Sequence, residues 1–211
     1  MIIEPSALLT FITATLVVYL MPGVDMVYIA SNSMNKGLRA GLYAAGGIVT
    51  GIFIQASAAA FGMTALFLMS PIVFEVLRWL GVAYLFYLGL KILMSDSDPT
   101  WAREYAEWTP ASIVMKGIAI NILNPKIALF FLAFLPQFTN PAMGSVFLQL
   151  AVLGLVFSVG SVFWCVFQAF LFARVGQWFE KSASFQLWQR RVTGISFIGF
   201  ASLLALSDIR R

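Results

Sequence analysis

Apolar residues fall into long runs along this chain, separated by short polar segments, and the runs are longer than a buried strand or a core helix requires. Crossing a hydrocarbon core of roughly 30 Å takes about 20 predominantly apolar residues in a helix. Six segments meet or approach that length: 8–31, 40–69, 72–94, 112–135, 146–172 and 192–205. The last is the shortest, with room to extend back through Trp188 or forward through Ile209. The runs are continuous rather than alternating, which excludes a membrane β-barrel. A backbone in lipid must then satisfy its own hydrogen bonds as helix. The pattern predicts an all-α membrane protein of six transmembrane helices.

Composition agrees with the pattern. Of 211 residues, 61% are hydrophobic and 10% charged, where a soluble domain carries about a quarter charged. The first charge is Glu4 and the apolar segment from Ala7 continues into Tyr28. The start is therefore expected to be a retained span rather than a cleaved leader. The net charge of +4 comes from basic residues scattered among short loops, not clustered on one face, so no nucleic-acid partner is implied. Lys36, Arg39, Lys91, Arg103, Lys116, Arg174, Lys181, Arg190 and Arg191 fall on one membrane side, against Arg78, Arg210 and Arg211 on the other. The basic side is expected to be cytoplasmic, which places both termini outside.

Two loop segments carry aromatic residues at helical spacing. Trp101, Tyr105 and Trp108 lie in 95–109, and Trp178, Phe179, Phe185 and Trp188 in 177–191. Both are expected to lie flat at the lipid headgroups, with membrane lipid as their partner.

Sliding the chain on itself by 103 residues aligns Pro22 with Pro125, Gly41 with Gly144 and Gly51 with Gly154. Three helices in the first half oblige the second half to start from the opposite membrane face. The expected architecture is a single transporter domain, 1–211, of two inverted three-helix repeats, 1–94 and 111–211, joined by an interfacial loop, 95–110.

Helices 1 and 4 are each interrupted. Pro22, Gly23, Val24 and Asp25 break the first apolar run, and Asn124, Pro125 and Lys126 break the fourth. Proline removes an amide donor and clashes with the preceding turn, so each motif is expected to break its helix. Paired breaks at corresponding positions point to a binding site near the bilayer midplane. Each break also carries a charge. An ionised side chain at that depth costs roughly 2.5 to 3.5 kcal/mol, so Asp25 and Lys126 are expected to face inward.

In this arrangement Asp25 attracts the ammonium of an amino acid. Lys126 and the amides opened after Pro125 attract its carboxylate, aided by the positive end of the half-helix. Asn32, Asn121 and Asn124 supply neutral hydrogen bonds, and Pro22 and Gly23 shape the first break. A direct Asp25–Lys126 ion pair that locks the bundle is the competing structural reading. Asp25 is also the candidate for proton coupling, since desolvation and a neighbouring ammonium act on its carboxyl in opposite senses. Of the remaining intramembrane polar residues, Gln55 and Asn32 are the better candidates to line a path. Ser57, Gln149, Ser158, Ser161 and Gln168 are expected to bond between helices. The glycine spacings Gly37–Gly41 and Gly47–Gly51 are expected to allow close helix packing, with a homodimer face as the lesser alternative.

Enzyme classes find no support. The chain has no histidine for a zinc hydrolase, a single cysteine, Cys165, for a thiol relay, and a single intramembrane carboxylate where an aspartyl protease needs two. No cofactor or metal is expected. A membrane scaffold without transport, or an exporter of another small solute or ion, remain as alternatives.

Several ordered motifs carry a resemblance. Met21-Pro-Gly-Val-Asp-Met26, Asn32-Ser-Met-Asn-Lys-Gly37, Gly81-Val-Ala-Tyr-Leu85, Tyr87-Leu-Gly-Leu-Lys91, Asn121-Ile-Leu-Asn-Pro-Lys126 and Phe134-Leu-Pro-Gln-Phe138 resemble the lysine-exporter (LysE/RhtB) family of bacterial amino-acid exporters. The resemblance runs from Pro5 to Phe138. It implies a multi-pass protein of the bacterial inner membrane that exports amino acids or their derivatives, driven by an ion gradient. The family's motifs map onto Pro22, Gly23, Asp25, Asn124, Pro125 and Lys126. Val24 departs from them, standing where the family often has a second proline. No acidic cluster beyond Asp25 is present in the helices for a cationic side chain, which favours a neutral amino acid.

Overall fold

The computed structural model describes residues 3–69, 71–94, 109–180, 191–192, 194–195, 198–199, 201–202 and 205. Every regular element among them is helical. In chain order these are α1 (Pro5–Leu20), α2 (Val24–Met69), α3 (Pro71–Met94), α4 (Pro110–Ile122), α5 (Pro125–Leu129) and α6 (Val146–Glu180). Residues 191–205 are helical wherever they are described. Of the two interfacial segments expected at 95–109 and 177–191, residues 95–108 and 181–190 lie outside the described residues, and 177–180 continue α6.

α2 has 46 residues, which as a straight rod would measure about 69 Å, more than twice the hydrocarbon thickness. Gly37 prevents that. Its φ of 81° and ψ of 175° turn the chain in the middle of the element, a conformation open to glycine because it has no Cβ. A Cβ built on Gly41 would stand 3.2 Å from the Cα of Ser33, although eight residues of straight helix span about 12 Å. The element is therefore a hairpin of two arms, the first ending at Lys36 and the second running from Leu38 to Met69.

The second arm packs against α4 backbone to backbone. A Cβ on Gly47 would meet the Gly117 Cα at 3.0 Å, and one on Gly117 would meet the Ala44 carbonyl at 3.1 Å. The glycine spacing 47–51 thus serves packing within the chain. The Tyr28 hydroxyl donates to the Ile113 carbonyl at 2.7 Å and ties the first arm to the same helix. α4 starts from a capping box, in which the Thr109 side chain accepts from the Ser112 amide at 3.1 Å and Ser112 returns the bond at 3.0 Å. Such caps contribute about 1 kcal/mol.

The fourth expected span consists of two pieces, Pro110–Ile122 and Pro125–Phe138, that meet at 45°. Its second piece leaves α-geometry early, passing through a π-helical turn (Phe130–Phe134) into a 3-10 turn (Leu135–Phe138). Aromatic rings fill the widened helix: Phe130 and Phe131 each lie about 5 Å from Phe157 of α6, and Phe11 of α1 meets Phe138 edge-on at 5.2 Å. Gly144, with φ of 116°, turns the chain toward α6. There the Gln149 side chain accepts from the Asn140 amide at 2.8 Å and donates to the Asn140 carbonyl at 2.9 Å. That fully buried glutamine is spent on the turn.

α1 rests on α6 through side chains. The Tyr19 hydroxyl donates to the Phe157 carbonyl, and its ring stacks on Trp164 at 6.5 Å. Gly160 clears the space, since a Cβ there would stand 2.9 Å from the Tyr19 hydroxyl. The outward faces carry large apolar residues such as Leu9, Phe61, Leu123 and Phe163. An apolar exterior around a core that holds charge is the arrangement expected when lipid is the solvent.

Candidate functional site

Two helix interruptions meet at the centre of the bundle. In the first, Met21 leaves α1 with ψ of 118° while its amide still bonds the Val17 carbonyl, and helix resumes when the Val27 amide bonds the Gly23 carbonyl at 3.1 Å. Met21 and Pro22 are buried and Gly23 is half-buried. Asp25 lies in the first turn of α2, where a carboxylate suits the exposed amides of a helix start.

In the second interruption α4 ends at Ile122 and Asn124 is extended, with ψ of 109°. The Asn124 amide bonds the Asn121 carbonyl at 2.8 Å, and its side-chain oxygen accepts from the Lys126 amide at 3.0 Å. Asparagine at this position caps the helix that follows.

The two interruptions are cross-bonded. The Asn124 side-chain amide donates to Asp25 Oδ2 at 2.7 Å, and that of Asn121 donates to Asp25 Oδ1 at 3.4 Å. In the reverse direction, Lys126 Nζ donates to the Met21 carbonyl at 3.2 Å. Each charged residue thus follows one interruption and bonds to the other. Asp25 and Lys126 are both 8% exposed, Asn124 3% and Asn121 0%. The two charges interact electrostatically, and the Asn124 side chain bonds to the Asp25 carboxylate and to the Lys126 backbone amide, but neither charge takes the other as its hydrogen-bond partner. The direct ion pair weighed from the sequence is not formed among the described residues.

Asn121, Asn124, Asp25 and Lys126 are therefore brought together, with Pro22, Gly23 and Pro125 in the adjoining turns. Gly23 is the close approach that admits the lysine: a Cβ there would stand 3.1 Å from Lys126 Nζ. Asn32 lies apart, two turns further along α2, where its amide donates to the Tyr28 carbonyl at 2.9 Å.

The structure joins to this cluster Gln55, expected from the sequence to line a path, and Gly51, expected to serve packing. Gln55 Nε2 donates to the Asn121 carbonyl and, at 3.0 Å, to the Ile122 carbonyl, holding the end of α4 where helical partners are missing. Gly51 lets Asn121 approach, because a Cβ at 51 would fall 2.7 Å from the Asn121 Cβ. The fourfold spacing of Gly47, Gly51 and Gln55 is the signal that would have placed all three on one face. Cys165 of α6, buried, also lies within electrostatic range of Asp25 and Lys126.

An apolar exterior and long apolar helices mark a multi-pass membrane protein. The profile of the LysE type translocator family matches residues 16–208, and the chain belongs to that family. It is similar to the uncharacterized membrane protein YrhP of Bacillus subtilis, 30% identical over 95% of this chain and 99% of that one. An uncharacterized membrane protein of Pseudomonas aeruginosa, PA4757, is 28% identical over 95% of each. The leucine efflux protein of Salmonella typhimurium is 26% identical over 93% of each. No solved structure matches the chain.

Proposed function

We propose that this protein is a secondary exporter that carries amino acids or their derivatives, with a preference for neutral ones, across the bacterial inner membrane. The observation that carries the reading is the cross-bonded quartet of Asp25, Asn121, Asn124 and Lys126, buried where two helices are interrupted. Two opposed charges buried at one place without a hydrogen bond to each other match the two ends of a zwitterion. A lysine ammonium has three donors, of which the Met21 carbonyl takes one, and the others suit a carboxylate. The Asp25 carboxylate suits the substrate's ammonium.

The two interruptions are read as proline breaks in helices 1 and 4 of two inverted repeats, so that the site lies near the midplane and opens alternately to either side. Membership of a translocator family and similarity to a protein named for leucine efflux support export and a neutral substrate. Asp25 is the group through which an ion gradient would act. Pro22, Gly23 and Pro125 shape the binding turns, and Asn32 lines the path further along α2.

Cells loaded with dipeptides, with and without the protein, test the proposal through intracellular amino-acid retention. Expression is expected to lower retained leucine, and Asp25→Asn and Lys126→Met to restore it. Retention that ignores both the protein and its variants assigns the bundle to a scaffold.

A further inference from the structure

Two side-chain oxygens, one within the quartet and one on the residue that holds the end of α4, are buried without a hydrogen-bond partner: Oδ1 of Asn121 and Oε1 of Gln55. A buried, unsatisfied acceptor costs about 1 to 3 kcal/mol, so two of them at one place require an explanation. Their orientations are not arbitrary. Gln55 must turn its nitrogen to the Asn121 and Ile122 carbonyls, which leaves its oxygen unmatched. Asn121 must turn its nitrogen to the Asp25 carboxylate, which leaves its oxygen unmatched as well. The Asn121 contact to Asp25 is long, at 3.4 Å, whereas that of Asn124 is 2.7 Å. Asn121 is therefore the amide that an arriving donor can displace.

We infer that Asn121 and Gln55 complete, with Asp25, a three-acceptor seat that takes an unsubstituted primary ammonium and rejects N-alkylated amines. The inference rests on the amino-acid reading above and adds which amine the site accepts. A primary ammonium carries three N–H groups, one for each acceptor. A secondary ammonium carries two and brings a methyl group besides. Leaving an acceptor buried and unpaired is what gives such sites discrimination against analogues that lack the donor.

Counterflow of radiolabelled leucine in proteoliposomes tests this, with unlabelled leucine, N-methylleucine and N,N-dimethylleucine as competitors. With the wild-type protein, N-methylleucine is expected to compete about tenfold more weakly than leucine, the equivalent of one lost hydrogen bond to a charged group. Gln55→Met and Asn121→Ser are expected to weaken leucine while leaving N,N-dimethylleucine unchanged, so that the gap narrows. Equal competition by all three amines in the wild-type protein overturns the inference without any variant, and leaves amino-acid transport standing. A strict need for sodium, abolished by choline replacement, together with equal competition assigns the oxygens to the metal ion and overturns it also. Absence of counterflow for leucine and for every other member of a panel of neutral amino acids overturns the transport reading and this inference together.

Discussion

Gly51 and Asn121 occupy positions that leave no space for a single added carbon, which at residue 51 would stand 2.7 Å from the Asn121 Cβ and 3.0 Å from its Oδ1. Neither atom is the tip of a long flexible chain, so relief requires α4 to move away from the second arm of α2. Gly51→Ala is expected to destabilise the protein by about 1 to 3 kcal/mol and to reduce leucine export at least as strongly as Asn121→Ala. Gly46→Ala, where an added carbon meets nothing within 4 Å, serves as the control and keeps both properties. Melting in detergent and export from loaded cells read the two effects separately.

The charges of Asp25 and Lys126 give a prediction in which stability and transport part company. Asp25→Asn leaves the buried ammonium with the Met21 carbonyl but without a neighbouring negative charge. Stability is expected to fall by up to about 3 kcal/mol, because an uncompensated charge remains in the core. Adding Lys126→Met removes that charge and recovers most of the loss. Export stays abolished in the double variant. Full recovery of export would show that the pair only holds the bundle together.

Much of this organisation is legible in the sequence because charge is so rare there. Asp25 and Lys126 stand out against apolar runs, and Asn121 and Asn124 stand beside the second of them. Their mutual bonds depend on how α2 and α4 cross, which no residue states by itself. Gln55 is harder to see. Its identity signals polarity, but its partners are the carbonyls of Asn121 and Ile122, and backbone groups have no letter in a sequence. The departure from α-geometry over Phe130–Phe138 is announced only by Pro136, which has no amide to donate into the preceding turn, while the packing of Phe130 and Phe131 against Phe157 has no sequence signal. Gly37 reads as a small packing residue beside Gly41, whereas its φ of 81° makes it the turn of a hairpin.

That turn yields its own test. Space is open around Gly37, with nothing within 4 Å of an added carbon, so any penalty there is backbone strain alone. Gly37→Ala and Gly37→Asn are both expected to cost about 1 to 3 kcal/mol, because φ of 81° with ψ of 175° lies outside the left-handed helical region that asparagine tolerates and is essentially reserved for glycine. Wild-type melting in either variant would show that the turn does not depend on glycine.

Gly23 and Lys126 present the opposite case, in which the neighbour is able to give way. An added carbon at residue 23 would lie 3.1 Å from Lys126 Nζ and 3.5 Å from its Cε. Both atoms are at the end of a side chain with four rotatable bonds, so the fold is expected to absorb Gly23→Ala with little change in melting. The ammonium, however, must leave its place 3.2 Å from the Met21 carbonyl. If that place prepares Lys126 for a substrate carboxylate, the variant raises the leucine concentration needed for half-maximal export several-fold and leaves the maximal rate nearly intact, the mark of lost binding rather than lost translocation. Decarboxylated leucine, isoamylamine, lacks the group in question. Its residual binding is expected to be the same in wild type and Gly23→Ala, and a parallel loss for the amine would mean that the substitution disturbs the Asp25 side of the site instead.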